Sequence, residues 1–554
     1  MQISELVRTL LSKRGIEKDE DIQAFLSPDY VAHTHSPFLL AGMDIAVARI
    51  LSAIEKGERI AVYADFDCDG IPGAAVLHDL FRKTNYDHVE IYIPHRDREG
   101  YGFHEEAIKT LAEREVKLII TVDVGTKANS SVAYAKSLGV DVIVTDHHEI
   151  DSELPAAVAV LNPKRAPYPF PNLCGAAVAW KLAQALLIEG KKRNLPSFVN
   201  ITEGWEKWLL DLVAIATVAD LVPLTGENRV LTHWGLKVLR KSPRPGVVAL
   251  CTALRLNRAY IDETDIAFSF APRINAASRM DSPELAFELL TTADRVRAQE
   301  LAAKLESLNR SRKGVVAGIV KDAKKKVHAR FGAQDRVVVL GNPDWKPSLL
   351  GLAANSIVEE RGGAAVLWGR DGLGKLKGSA RSDGSISIVE LFARSGAFEE
   401  YGGHRASGGF TVSMEAIHTL PEVLRHVAAQ LETVPQVETS SDAIVSLREI
   451  SLTLLKDIST LAPFGIGNGK PIFRIPRVRI ISVRRFGKEG NHTEVSLVCS
   501  ETGVTHRTFQ FFKSPEHFTV MPLPDMEADV LATLERDTFK GPYALALRLV
   551  DILG

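Results

Sequence analysis

The chain has 554 residues, 45% of them hydrophobic and 25% charged, and its 67 basic and 69 acidic side chains leave a net charge of −2. This is the make-up of a folded protein of several domains, and it excludes a polycationic nucleic-acid binder: contact with nucleic acid would need a local basic groove. No apolar run has the length of a membrane span. The opening MQISELVRTLLSKRGIEKDED carries no signal-type apolar core. The four cysteines (Cys68, Cys174, Cys251 and Cys499) form no CxxC pair, so neither a disulfide framework nor a cysteine zinc site is expected, and a reducing cytoplasm is.

Between residues 59 and 162, short β-branched runs alternate with amphipathic stretches. RIAVYAD (59–65), VEIYIPH (89–95), VKLIITVD (116–123), VDVIVTD (140–146) and AVAVLN (157–162) read as buried parallel strands. GAAVLHDLFRKT (73–84), HEEAIKTLAERE (104–115) and SSVAYAKSLG (130–139) read as the helices between them. Such alternation predicts βαβ units and a doubly wound parallel sheet.

In open sheets of this kind the functional crevice lies outside the carboxyl ends of the strands. The first strand ends at Asp65 and runs on through Asp67 and Asp69, the second ends at His95-Arg96, the third at Asp123, and the fourth at Asp146-His147-His148. One aspartate at a strand end is usually a cap or turn residue, and a lone His-His pair is more often surface or core. Together these groups would repel one another without a cation. Oxygen-rich ligation with one or two imidazoles suits Mn²⁺ or Mg²⁺ better than a structural zinc. WEKWLLDLVAIATVADLVPLTGENR (205–229) predicts an apolar helix stopping near Asp220, a further acid whose isolated signal is weak.

Residues 293–331 repeat apolar positions at helical spacing, which predicts a helix of roughly 50 Å bridging two lobes. Gly314 and Gly318 mark a candidate hinge in it, and KDAKKK (321–326) reads as a solvated face in preference to a DNA contact. RVVVLGN, LLGLAANSIVEERG and AAVLWGR predict a second α/β lobe over 335–431, with glycine clusters that let a backbone approach phosphate. From about 440 short strands predict a small barrel. Within it Arg474, Arg477, Arg479, Arg484 and Arg485 interleave with Phe473 and Phe486, the composition of a surface that stacks bases and tracks a backbone.

YADFDCDG (63–70), HRDREGYGFH (95–104), TVDVGT (121–126), VTDHHEI (144–150), LNP (161–163), LCGAAVAWKL (173–182) and ATVADLVPLTGENR (216–229) resemble the successive motifs of the DHH phosphoesterase superfamily, and within it the RecJ family. The resemblance continues collinearly through FAPRINAASRM (270–280), GSARSDGSISI (378–388), YGGHRASGGF (401–410) and LAPFGIGNGKPIF (461–473). It implies an N-terminal extension (1–42), a DHH catalytic lobe (43–292), a connecting helix (293–331), a DHH-associated lobe (332–435) and an oligonucleotide-binding (OB-like) barrel (436–554).

The resemblance also implies a 5′→3′ exonuclease specific for single-stranded DNA, acting in recombination and repair through two Mn²⁺ or Mg²⁺ ions. Asp65, Asp67, Asp123, His147, His148 and Asp220 would be ligands, with Asp67 and Asp123 the candidates to bridge. Asp69 would be a ligand or stand behind one, and His148 would ligate or serve a proton. Arg96, Arg279, Ser379 and Arg381 would grip phosphate, and His404 would line the cleft. Expected partners are single-stranded DNA, a single-strand-binding protein and a helicase, with the chain a monomer off the membrane. Two other functions fit the superfamily: a small-substrate phosphodiesterase acting on oligoribonucleotides or cyclic dinucleotides, and a replication scaffold without catalysis. The sequence departs from the usual pattern at Ala64, Cys68, Thr126, Ala216, Ser278 and Ser348, none of them a proposed ligand. Cys68 is either a thiol beside the metal or a core side chain beneath the strand.

Overall fold

The computed structural model describes residues 3–150, 153–332, 334–432, 440–487, 490–537 and 544–554. Two compact units form: Met1–Thr34 with Pro223–His233 and Glu438–Gly554, and His35–Val222 with Trp234–Val437.

The larger unit begins with a parallel sheet of β1 (Arg59–Ala64), β2 (Val89–Tyr92), β3 (Val116–Val122), β4 (Asp141–Thr145) and β5 (Ala159–Leu161), in the order β2-β1-β3-β4-β5. The five strands predicted from alternation are all present. Each stops before the polar residue assigned to its end, because those side chains leave the sheet to face the crevice. Ile60, Val62, Leu118, Ile120 and Ile143 are fully buried, as expected of a sheet covered on both faces. Reversal of strand order around β1 and β3 sets the crevice at their carboxyl ends.

The predicted connecting helix runs from Arg295 to Arg330, 36 residues, or about 54 Å at 1.5 Å per residue. Asp294 caps it by accepting from the Val296 and Arg297 N–H groups. It passes unbroken through Gly314 and Gly318, where added Cβ atoms would meet nothing within 4 Å. Ala298, Leu301, Ala302 and Leu305 are buried in its first half. Farther along, Ile319, Ala323 and Val327 join a core with Val338, Leu340, Leu349 and Leu367. The KDAKKK face is solvated and ion-paired: Lys324 pairs with Glu360, and Lys326 with Asp322 while lying over the Trp345 ring.

The second lobe is a mixed sheet of β6 (Val337–Gly341), β7 (Ala364–Arg370), β8 (Leu376–Ser382), β9 (Glu400–His404) and β10 (Ser407–Val412), ordered β6-β7-β8-β10-β9. Only β6 and β7 are parallel; β8, β10 and β9 pair antiparallel. The Pro347–Arg361 helix packs on it.

In the smaller unit, β11 (Ala443–Ile444), β12 (Ile472–Phe486), β13 (His492–Cys499), β14 (Thr505–Gln510), β15 (Glu527–Arg536) and β16 (Leu545–Leu553) are ordered β11-β12-β13-β14-β16-β15, and β12 also pairs with β15. That last pairing closes a five-stranded barrel with β11 added beside it. Val7, Leu10, Leu11 and Ile22 of the N-terminal helices share its core with Phe473, Ile475, Val495 and Leu549. Pro223–His233, assigned from sequence to the catalytic lobe, belongs to this unit. Arg229 explains why: its guanidinium stacks on Phe25 at 3.6 Å and donates to the Phe25, Ala462 and Pro463 carbonyls.

Candidate active site

The stretch after β1 divides its three aspartates between two tasks. Asp67 Oδ1 accepts from the Asp69 and Gly70 N–H groups at 2.8 and 3.1 Å, which tightens the turn. A Cβ at Gly70 would lie 2.3 Å from the Asp65 carbonyl oxygen, so the turn demands glycine there. Asp69 points to the start of the Gly175–Lys192 helix, where Gly175 N–H and Ala176 N–H donate to its two oxygens at 2.6 and 2.8 Å. Those bonds join the two helices behind the cluster and complement the positive end of the helix.

Asp123 follows β3 with a φ of 61°, a left-handed conformation that side chains other than glycine adopt sparingly. Leu221, next to Asp220, has a φ of 60° and is exposed. Backbone held in this region beside clustered acids is strain stored at a working site. Asp220 ends the Leu210–Ala219 helix, as its apolar run predicted.

His147 lies at the centre of the group. Its Nε2 is 3.2 Å from Asp123 Oδ1, 3.6 Å from Asp220 Oδ2 and 3.7 Å from Asp69 Oδ2. Burial, with His148 nearby, pushes its pKa down to about 4, so the imidazole is neutral, the form that ligates metal. His148 behaves oppositely. Burial works against its charge, but the bond from Nδ1 to Asp146 Oδ1 at 2.7 Å and the charge of Asp146 raise its pKa.

Three sets of ligating atoms converge: Asp65, Asp67 and Asp123; Asp123, His147 and His148; Asp69, His147 and Asp220. Among the described residues, the buried oxygens Asp65 Oδ1 and Asp123 Oδ1 have no hydrogen-bond partner. An orphaned buried carboxylate oxygen is costly. Burial, then the charge of neighbouring carboxylates, raises the pKa of Asp65, Asp123 and Asp220 well above the ordinary range and that of Asp69 to about 6. Two orphaned oxygens in an acidic cluster holding a neutral imidazole fit hard divalent cations.

The raised carboxyl groups dictate a linkage with pH. Each stabilises the metal-free fold most below its unfolded pKa, and loses that contribution as pH rises through the higher folded value. His147 has the opposite sign, but only below its unfolded value of 6.5. Above pH 6.5, therefore, metal-free stability should fall with pH while bound cations offset the loss. Saturating Mn²⁺, at a hundredfold excess over Kd, should stabilise by about 2.7 kcal/mol, and the gain in Tm over EDTA should grow from pH 6.5 to 8. Thermal melts would expose an error here if the gain were flat or shrank.

Cys68 is buried, its N–H donating to Asn275 Oδ1 at 3.0 Å. Burial, with Asp67, Asp69 and Asp220 nearby, holds the thiol well above its usual pKa.

A group of arginines lies near the carboxylates. Arg96 stacks over Phe66 at 4.5 Å. The acids beside it in sequence are engaged elsewhere: Asp97 with Lys346 at 2.8 Å, and Glu99 with Tyr92 Oη and His95 N–H, both at 2.6 Å. Arg279 donates to the Ser348 carbonyl, and Arg381 to the Ala380 carbonyl at 2.8 Å. Among the described residues none of these three guanidiniums has a carboxylate within ion-pair distance. Burial lowers the pKa of all three; neighbouring arginines add to the fall for Arg279 and Arg381, while Asp65 opposes it for Arg96. In the second lobe Arg381, Ser407 and His404 are aligned across β8, β10 and β9, with Ser379, Gly409 and Gly402 aligned beside them.

Asp146, read from sequence as one of the converging carboxylates, is in none of the three ligand sets, while Asn162 and Tyr101 carried no role in the sequence reading. Asp146 accepts from Thr126 N–H (2.8 Å), His147 N–H (2.7 Å) and His148 N–H (3.2 Å) as well as from His148 Nδ1. Although burial opposes its charge, the His148 bond holds it ionised, far below the ordinary carboxylate range. Asn162 donates to the His148 carbonyl at 2.9 Å, and Tyr101 Oη lies 3.3 Å from His148 Nδ1. All three fall inside motifs quoted above, which was the available signal.

The barrel corrects one expectation. Phe473 is fully buried in its core, and Arg474, Arg484 and Arg485 pair with Asp529, Glu494 and Glu516. The aromatic surface lies instead where Phe486, His492, Phe509, Phe511 and Phe512 meet edge-on, with Arg548 over Phe509 and Phe511. Phe512 is 79% exposed.

Residues 59–217 match the DHH family, N-terminal domain, and residues 441–551 match the RecJ OB domain. The sheet and the acids at its carboxyl edge are thus those of a DHH phosphoesterase lobe. Along its length the chain is 34% identical to the Bacillus subtilis single-stranded-DNA-specific exonuclease RecJ over 90% of this chain and 62% of that protein. It is 30% identical to the Haemophilus influenzae protein of the same name over 97% of this chain and 93% of that one. The crystal structure of Thermus thermophilus RecJ in complex with Mn²⁺ superposes with a TM-score of 0.81 at 27% identity, covering all of this chain and 76% of that one. The chain belongs to the RecJ family. It spans less than two thirds of the Bacillus subtilis relative. No helix among the described residues is long and apolar enough to cross a membrane.

Proposed function

We propose that the chain is a metal-dependent exonuclease that degrades single-stranded DNA from its 5′ end, in recombination and repair. One observation carries the reading: orphaned buried carboxylate oxygens lie close to arginines that, among the described residues, have no carboxylate within ion-pair distance. The first group calls for cations and the second for an anion; divalent cations on the carboxylates and a phosphodiester lying between those cations and the arginines would satisfy both. Asp65, Asp67, Asp123, His147 and Asp220 would hold two Mn²⁺ or Mg²⁺ ions, with Asp69 behind them tied to the start of the Gly175–Lys192 helix. Such ions supply the Lewis acidity that polarises a phosphoryl oxygen and makes water a better nucleophile. His148, whose pKa Asp146 raises, would move a proton at Nε2 toward the leaving oxygen.

End recognition falls to the arginines. A 5′-phosphate has more charge and more free oxygens than an internal phosphate, and planar guanidiniums bind it bidentately. Arg96, Arg279 and Arg381, with Ser379, would form that pocket, and His404 would line the approach. The exposed aromatic surface of the barrel would stack bases of single-stranded DNA, and a small-substrate phosphodiesterase would have no use for it. We further propose a cytoplasmic monomer that works with a single-strand-binding protein and a helicase.

Arg381→Ala should slow cleavage of 5′-phosphorylated DNA much more than cleavage of 5′-hydroxyl DNA, with Mn²⁺ binding unchanged. Equal slowing of both substrates would remove the end pocket and leave selection to the shape of the cleft.

A further inference from the structure

Gly351 lies inside the Pro347–Arg361 helix, where glycine is the least favourable residue after proline. No turn or cap requires it, and its φ is not among the positive values. The space at its Cα is filled by another side chain: a Cβ there would be 2.6 Å from Arg381 Nη2, 3.1 Å from Cζ and 3.4 Å from Nη1. The Arg381 guanidinium therefore rests against the helix backbone at this point.

Ser348, three residues earlier and so on the same helix face, accepts from Arg279 through its carbonyl. Lys346 Nζ donates to the Arg279 carbonyl at 2.6 Å. One turn of this helix thus abuts two of the three guanidiniums. Both also feel other arginines.

We infer that Gly351 is a positioning residue, which sets where the Arg381 guanidinium meets the 5′-terminal phosphate by leaving room for it against the helix. This rests on the reading of Arg381 as an end-phosphate group. The obstructed atoms are the far end of a flexible side chain, so a methyl at 351 displaces the guanidinium and leaves the backbone in place. Alanine also favours a helix over glycine, so the substitution should not unfold the protein.

The test compares Gly351→Ala, Arg381→Ala and the double variant in full-length protein, using kcat/KM on 5′-phosphorylated and 5′-hydroxyl oligonucleotides with Mn²⁺. Gly351→Ala should keep the wild-type Tm and Mn²⁺ affinity. Its cleavage of 5′-phosphorylated DNA should fall by as much as about 100-fold, the scale of a 1 Å misplacement, with the same substrate bias as Arg381→Ala. In the Arg381→Ala background it should cost nothing more. Wild-type activity for Gly351→Ala, or an equal loss with and without Arg381, would overturn the inference. The two ideas fail separately: the substrate bias of Arg381→Ala judges the end pocket, and the double variant judges Gly351.

Discussion

Asp123→Asn should abolish hydrolysis while leaving single-strand binding intact and making the metal-free protein more stable to heat. Asparagine preserves the shape, and it tolerates the φ of 61° that would strain alanine, so it removes charge with little else. Asp123 belongs to two of the three ligand sets, and its Oδ1 is one of the orphaned oxygens. The loss should exceed the roughly 10–100-fold that follows removal of an outer-shell partner. The gain in stability follows because burial and four neighbouring carboxylates oppose its ionisation. Activity above a few per cent of wild type would refute the assignment, and a lower Tm in EDTA would refute the electrostatic account.

Asp146→Asn should lower activity by about 10–100-fold, less than Asp123→Asn, because Asp146 bonds to the histidines and, among the described residues, is in none of the three ligand sets. It orients the His147-His148 backbone by accepting both N–H groups, and it raises the pKa of His148. Without its charge the His148 pKa falls. If protonated His148 serves the leaving oxygen, the alkaline limb of the pH–rate profile must move to lower pH. An unchanged alkaline limb with reduced activity would make Asp146 a brace for geometry alone.

Much of this was legible because period and position survive in sequence. Alternating apolar runs marked β1 to β5, and the polar residue closing each run marked the crevice, since there the chain leaves the apolar sheet and gathers buried acids at one edge. Direction was not legible. Asp67 and Asp69 look alike in YADFDCDG, yet Asp69 turns to the N–H groups of Gly175 and Ala176, more than a hundred residues on. Pairing was equally hidden. Arg474, Arg484 and Arg485 read as a backbone-tracking surface, without sign of the Asp529, Glu494 and Glu516 they pair with, whereas Arg96, read as a phosphate-binding group, has its neighbours Asp97 and Glu99 engaged elsewhere. Phe473 faces the core because strand alternation inside a closed barrel leaves it no other side. Gly351 could be seen as an ill-suited helix residue, but the guanidinium that explains it comes from β8.

The most direct test is digestion of one 5′-phosphorylated oligonucleotide, labelled at its 5′ end, as a single strand and within a blunt duplex, with Mn²⁺ or with EDTA. The labelled 5′ mononucleotide should appear first from the single strand with Mn²⁺, with little from the duplex and none in EDTA. Equal digestion of the duplex, label released only after long fragments, or cleavage that persists in EDTA would contradict a metal-dependent exonuclease that enters single strands at the 5′ end.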